Sequence, residues 1–409
     1  MCNYNGGAPM RKLEFFFDLS CPYAWMGFHR VQDIVARYPV ELVYRPVLLG
    51  GIFRDLEAPQ VPAESWSKER QRMIAQDLVR QAGTLGLNLQ FPAGHPRRTV
   101  QALRLILSAP QSQWHALITR LYAAYWEKKQ DIADPQVLSQ LAQEFGLELS
   151  RTQDPAIKAK LKSNTDEALS RGVFGVPAFF LEGDEEGAFY WGQDRIHFLE
   201  KALGGPQVFA PPPPKPVGAD ELLWYFDFSS PFGYLSSLRV GEIAAAAGVR
   251  LVPKPFLLGA LFKDIGTPMI PMATFPPPKV RYLARDLKQW AAWWGGPFEF
   301  TKTFPLRTVL PLRVALLEEK AIQPLYKAAW ADNRDIGQAA VVHAVLAQAN
   351  LDADALIAGT QDPVIKQQLK DNTAEAAALG VPGVPTFKLP TGELIWGQDR
   401  MDVVASFLG

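Results

Sequence analysis

FFFDLSCPYAW occupies residues 15–25, and the chain repeats the pattern as WYFDFSSPFGY at residues 224–234, with Asp18 and Asp227 standing 209 positions apart. Each stretch reads as a buried, aromatic-rich strand, a short turn, and a helix opened by Cys21-Pro22 or Ser230-Pro231. Proline suits the first helical position, where its missing N–H has no partner to lose. Other blocks recur in the same order. RPVLLGGIFRD (45–55) returns as KPFLLGALFKD (254–264), and Arg98-Thr99 as Arg307-Thr308. TQDPAIKAKLKSNTDEA (152–168) returns as TQDPVIKQQLKDNTAEA (360–376), and GVFGVPAFF (172–180) as GVPGVPTFK (380–388). WGQDR stands at both 191–195 and 396–400. A period the size of a domain excludes a solenoid, whose repeats run to roughly 20–50 residues.

Each repeat therefore has the order β-α-β, a long helical insert, then β-β-α. The opening helix is expected to run to about Tyr38, and its counterpart to about Ala247. Asp154-Pro155 and Asp362-Pro363 read as N-cap and first-turn pairs that open the same helix in each repeat. The expected domains are 10–204 and 220–409, joined by a proline-rich linker over 205–219. Four consecutive prolines, 211–214, make that linker a stiff spacer of polyproline II character.

Composition narrows the function. A chain of 409 residues allows roughly two or three domains at about 150 residues each. With 48% apolar residues, a sizeable core is no difficulty. Lys+Arg and Asp+Glu are 42 each, which argues against nucleic acid or an anionic membrane surface as the main partner. Two cysteines exclude a disulfide scaffold, and the five histidines lack zinc-site spacing, so no metal is expected. No apolar run approaches the roughly 18 residues of a membrane span, and MCNYNGGAPMRK has no signal-like apolar core. A reducing, cytoplasmic setting is the expectation.

Cys21 stands at a helix start, where unpaired N–H groups and the helix dipole favour a thiolate. A dithiol cycle needs a second cysteine three residues on. Ala24 and Gly233 occupy those positions, which leaves only the distant Cys2 as a resolving partner. Ser230 reads either as a donor to a ligand's thiolate or as an N-cap for its own helix.

The strand–turn–Cys/Ser-Pro–helix unit, the Gly-Val-Pro before a strand and the WGQDR before the last helix together resemble the DsbA-like thioredoxin fold. The expected fold class is α/β, with two tandem thioredoxin-like (DsbA-like) domains, each carrying a helical insertion. FDFSSPFGYL, DLSCPYAWMG, RPVLLGGIFRD, KPFLLGALFKD and KVRYLARDLKQW look most like 2-hydroxychromene-2-carboxylate isomerases and kappa-class glutathione transferases. That resemblance implies glutathione as cofactor, with its sulfur steadied by Ser230 and, in the first repeat, by Cys21. It matches Val176-Pro177 and Val384-Pro385 to the family's cis-proline, whose preceding valine offers a backbone edge to glutathione. An ordinary trans loop proline reads equally from the residues alone. Gln193, Asp194, Gln398 and Asp399 are implied to hold the γ-glutamyl group; each Asp also reads as a helix cap. Lys279, and Arg70 in the first repeat, match the family's active-site lysine and are implied to hold a substrate carboxylate; on an amphipathic helix both also read as exposed basic residues. Arg98 and Arg307 are further candidates for anion binding. Trp290, Trp293 and Trp294 read as core or as an aromatic pocket. Ala58 and Thr267 stand where the family has an asparagine, a departure in both repeats.

The implied activity is glutathione-dependent cis–trans isomerisation of aromatic unsaturated keto acids. Its alternatives are glutathione conjugation, single-cysteine thiol–disulfide chemistry through Cys21, and a scaffold without catalysis. The implied partners are glutathione and a small-molecule substrate, with the two repeats forming an intramolecular counterpart of the family's dimer.

Overall fold

A computed structural model describes residues 10–185, 188–206 and 214–409. Cys2 and Pro211–Pro213 lie outside the described residues, so the resolving-cysteine and stiff-spacer expectations fall there. The chain forms two compact units. One gathers the described residues of Met1–Ser65 and Ala75–Pro206 with Pro276–Lys279; the other gathers those of Trp66–Ile74, Gln207–Phe275 and Val280–Gly409.

In the first unit the sheet order is β2-β1-β3-β4, from β1 (Arg11–Phe17), β2 (Val40–Pro46), β3 (Ala178–Leu181) and β4 (Tyr190–Trp191). β1 pairs parallel with β2 and antiparallel with β3. The second unit repeats this as β6-β5-β7-β8, from β5 (Glu221–Phe226), β6 (Arg250–Pro255), β7 (Thr386–Lys388) and β8 (Leu394–Trp396). The unbroken aromatic runs have the expected cause: β1 and β5 are central and covered on both faces. Phe15, Phe16 and Phe17 are fully buried, and Phe15 stacks on Phe179 at 5.1 Å.

The opening helix of the first repeat runs uninterrupted over Pro22–Arg37. Its counterpart does not continue to Ala247, as the periodicity predicts, but breaks into Pro231–Ser237 and Val240–Ala247. The cause lies in Ser236 and Ser237. Their hydroxyls donate to the carbonyls of Gly233 and Tyr234 at 2.8 and 2.6 Å, the local back-bonding that weakens a helix interior. Leu238 and Arg239 then turn through i→i−3 bonds.

Asp154 and Asp362 do cap their helices, accepting from Ala156 N and Val364 N. The Asn-Thr pair shared by the two helices fastens each to its sheet. Asn164 and Asn372 donate to Pro46 O and Pro255 O at 3.0 Å, and Thr165 and Thr373 accept from Leu48 N and Leu257 N at 3.0 Å. Among the described residues no helix is long and apolar enough to cross a membrane.

Asn372 is 6% exposed. Asn372→Ala leaves the Pro255 carbonyl without its donor, at a cost of about 1–3 kcal/mol. The expected result is a lower urea midpoint for the full chain. A shift no larger than that of Gln367→Ala, whose side chain bonds only Asp371 at the surface, contradicts it.

Candidate active site

Each candidate site residue at the helix start, Cys21 or Ser230, follows a buried carboxylate. Asp18 and Asp227 end the central strands and are 1% and 2% exposed. Asp18 accepts from Ser20 N (3.0 Å), Leu49 N (2.8 Å) and the Thr99 hydroxyl (2.7 Å). Asp227 accepts from Ser229 N (2.9 Å), Leu258 N (2.8 Å) and the Thr308 hydroxyl. Burial raises both carboxyls above their ordinary range, against the pull of those donors. The carbonyls of the turn are held from the insert. Tyr122 and Tyr326 donate to Asp18 O and Asp227 O, and Trp126 and Trp330 donate to Leu19 O and Phe228 O.

Within this shared frame the two helix-start positions differ. Cys21 is 7% exposed, and its Sγ donates to Val176 O at 3.1 Å. Burial pushes its thiol up to about 12, while the amides of Tyr23 and Ala24 pull only partly the other way. The thiolate expected from the helix start is therefore not the resting form. Desolvation outweighs the dipole because the sulfur is enclosed.

Ser230, 6% exposed, accepts from Gly233 N at 3.4 Å as an N-cap. Among the described residues its own proton has no acceptor, and neither the N–H nor the C=O of Val384 makes a hydrogen bond. Gly233 allows this closeness. A Cβ there would stand 3.0 Å from Val384 Cγ1 and would collide with the Tyr326 hydroxyl.

Val176-Pro177 and Val384-Pro385 are both cis. Gln193 and Gln398 turn inward at 1% exposure. Gln193 Nε2 donates to Gln81 at 3.3 Å, and Gln398 Oε1 accepts from Trp294 Nε1 at 2.8 Å. That bond and the 5.5 Å stack of Trp290 on Trp294 assign these two tryptophans to the core. Asp194 and Asp399 pair with the adjacent Arg195 and Arg400, at 3.0 and 3.5 Å, and cap no helix with their side chains.

The basic residues sit on tryptophans, so the exposed-surface reading does not describe them. Lys279 Nζ lies 5.5 Å from the Trp191 ring, within the first unit. Arg70 lies 4.4 Å from Trp66 and 5.6 Å from Trp396, within the second. Each thus joins the unit built mainly from the other repeat. Arg98 and Arg307 are exposed, and the threonine after each carries the contact to the turn.

In the sequence Asp18, Asp227, Thr99 and Thr308 stand out only as landmarks of the repeat, and Tyr122, Tyr326, Trp126 and Trp330 carry no assigned role. The signal was present: LYAAYW at 121–126 returns as LYKAAW at 325–330. Among the described residues no three His, Cys, Asp or Glu side chains gather as a metal site would require.

Known proteins match at the level of each half. The DSBA-like thioredoxin domain family matches residues 12–204 and again 221–409. Glutathione S-transferase kappa 1 of Rattus norvegicus is 29% identical over 225 residues, 51% of this chain and 97% of that protein. The 2-hydroxychromene-2-carboxylate isomerase of Sphingobium xenophagum is 26% identical over 203 residues, 47% of this chain and 98% of that protein. A solved structure of a 2-hydroxychromene-2-carboxylate isomerase aligns with a TM-score of 0.41 at 22% identity, covering 47% of this chain and 94% of that one.

Two measurements follow from these environments. In a Cys2→Ser background, Cys21 at about 12 against an ordinary 9.0 is about a thousandfold poorer in thiolate at pH 8. Iodoacetamide should alkylate it about a thousandfold more slowly in the native chain than in urea; equal rates contradict the enclosure. For Asp227, the raised folded value means that the folded chain holds this proton more tightly than the unfolded chain. The resulting stability is full below the ordinary 3.8 and is lost as pH rises through the folded value. Asp227→Asn should therefore cost more, against the wild-type chain at the same pH, at pH 4 than at pH 8. A larger cost at pH 8 reverses the sign and contradicts the assignment.

Proposed function

Because the chain belongs, through both halves, to the DSBA-like thioredoxin domain family, we propose that it is a glutathione-dependent isomerase of the 2-hydroxychromene-2-carboxylate type, working from its second half. One observation carries this: a serine hydroxyl with an uncommitted proton lies one turn from Gly233, against which Val384 packs with its backbone edge unpaired. Buried backbone groups are seldom left without partners, and an extended peptide is a natural partner for such an edge. The residues fit glutathione on that ground. Bound there, glutathione would supply a thiolate that adds reversibly to an electron-poor carbon of an unsaturated keto acid, so that a double bond can turn.

The chain's own residues divide the work. Ser230 accepts from Gly233 N–H and keeps its proton for a sulfur anion, a charge-assisted bond stronger than a neutral one. Val384 N–H and C=O would pair with the cysteinyl backbone. Asp399 would take the γ-glutamyl ammonium, whereas Gln398 is already engaged by Trp294. We assign the substrate carboxylate to Arg70 rather than Lys279, because Arg70 clusters with Trp396 in the unit that holds Ser230. In the first half, Cys21 donates its S–H to Val176 O and so occupies the acceptor that the backbone edge there would otherwise offer. That contact and the thiol's burial speak against a route through Cys21.

The full chain, assayed with 2-hydroxychromene-2-carboxylate, should isomerise it only when glutathione is present. Ser230→Ala should lower kcat by about 10²–10³, and Cys21→Ala should change it about twofold at most. Arg70→Gln should raise KM with kcat little altered, as loss of uniform binding does. A product that keeps the glutathionyl group supports conjugation instead. Activity lost in Cys21→Ala but kept in Ser230→Ala overturns the proposal.

A further inference from the structure

A cavity of about 490 Å³ opens in the second unit beside Leu238, at the C-terminal end of the helix Pro231–Ser237, and Ser230 is not among its lining residues. That volume lies within the roughly 300–1,000 Å³ of small-molecule sites. Its apolar wall is Leu238, Pro297, Pro324, Ala328, Val345 and Ala349. The polar groups can be accounted for one by one. Tyr234 donates to Pro297 O at 2.5 Å, and Gln323 donates to Ser237 O. Lys327 is neutralised by Asp332, at 2.9 and 2.8 Å to its two oxygens. Arg334 differs. Its Nη1 donates to the uncharged Gln348 at 2.9 Å, and among the described residues no carboxylate pairs with it. Two cations and one carboxylate leave the rim with one positive charge.

The first repeat serves as an internal control. The insert register is fixed by Gln130 N→Ala124 O and Arg334 N→Ala328 O, both 2.8 Å. In that register Arg120 corresponds to Pro324, Phe145 to Ala349, and Glu144 to Gln348, while the opening block matches Trp25 to Tyr234. Arg120 and Glu144 close on each other through two 2.7 Å bonds. At the same place the second repeat has given up bulk at two wall positions, Pro324 and Ala349, and has replaced a carboxylate by an amide at Gln348, while Lys327, Asp332 and Arg334 stand where the first has Ala123, Lys128 and Gln130. Lost volume alone would be drift. Lost volume together with an arginine that lacks a counter-ion defines a complementary shape and sign.

We propose that this cavity binds a small organic monoanion, a carboxylate on an apolar aromatic or aliphatic body. Arg334 takes the carboxylate, its planar fork being suited to two parallel bonds. Val345, Ala349, Ala328 and Pro324 take the body. The site is independent of the glutathione reading and shares no residue with it.

The test is isothermal titration of the full chain with 1-naphthoate. One saturable site is expected, with 1-naphthamide binding about tenfold more weakly for want of the charge. Arg334→Gln should weaken naphthoate about tenfold. Ala349→Phe, which restores the side chain of the first repeat, should abolish binding, and Ser230→Ala should leave it unchanged. The proposal is overturned if the amide binds as tightly as the acid, if Arg334→Gln leaves Kd unmoved, if Ser230→Ala removes binding, or if no saturable heat is found. Should Ala349→Phe fail to fold, Arg334→Gln and the amide decide.

Discussion

Asp18 and Asp227 occupy the ends of the central strands with no cation beside them among the described residues, and each is met instead by amides and hydroxyls. A carboxyl so buried is costly unless its lone pairs are filled. The donors come from three places: the turn itself, the chain after the second strand, and a threonine of the insert, Thr99 or Thr308. Satisfying one carboxyl therefore ties three separate segments to one point. The cis Val-Pro bends and the Cys21 and Ser230 positions are built around that point, and the Tyr and Trp donors of the insert complete it.

The same frame holds two different outcomes. In the first half, a long helix and a cysteine suggest an activated thiol, yet enclosure reverses the expected shift and the sulfur closes onto Val176 O. In the second, the helix is broken by its own serines, so a long aligned dipole is not what the site offers. What it offers is a hydroxyl with a proton to give and a backbone edge with nothing to pair. Divergence after duplication has thus acted on single atoms at the turn, and on packing volume in the insert, while leaving the sheet order unchanged.

Much of this was legible in the residues. The period-free aromatic runs gave central strands, Asp-Pro gave the helix caps, and the ordered repeats gave two equivalent folds. The break at Ser236-Ser237 was not legible from hydrophobic periodicity, because it arises from hydroxyls bonding back to carbonyls. The burial of Cys21 was also hidden: helix position sets the sign of the dipole term, but only packing sets the desolvation that exceeds it. Gln193 and Gln398 looked like ligand groups because WGQDR is identical in both repeats. That identity reflects an inward amide and an Asp–Arg pair as much as any ligand. The same signal, read at Thr99, Tyr122 and Trp126, would have led to the positioning residues.

The central claim is that a peptide sulfur docks at Ser230 with its backbone paired to Val384. The most direct measurement is a crystal structure of the full chain grown with glutathione. The account predicts glutathione in the second half, with its sulfur within hydrogen-bond reach of Ser230 Oγ and its cysteinyl N–H and C=O bonded to Val384. Glutathione seated at Cys21 instead, or Ser230 and Val384 both left as they stand without it, would contradict the account.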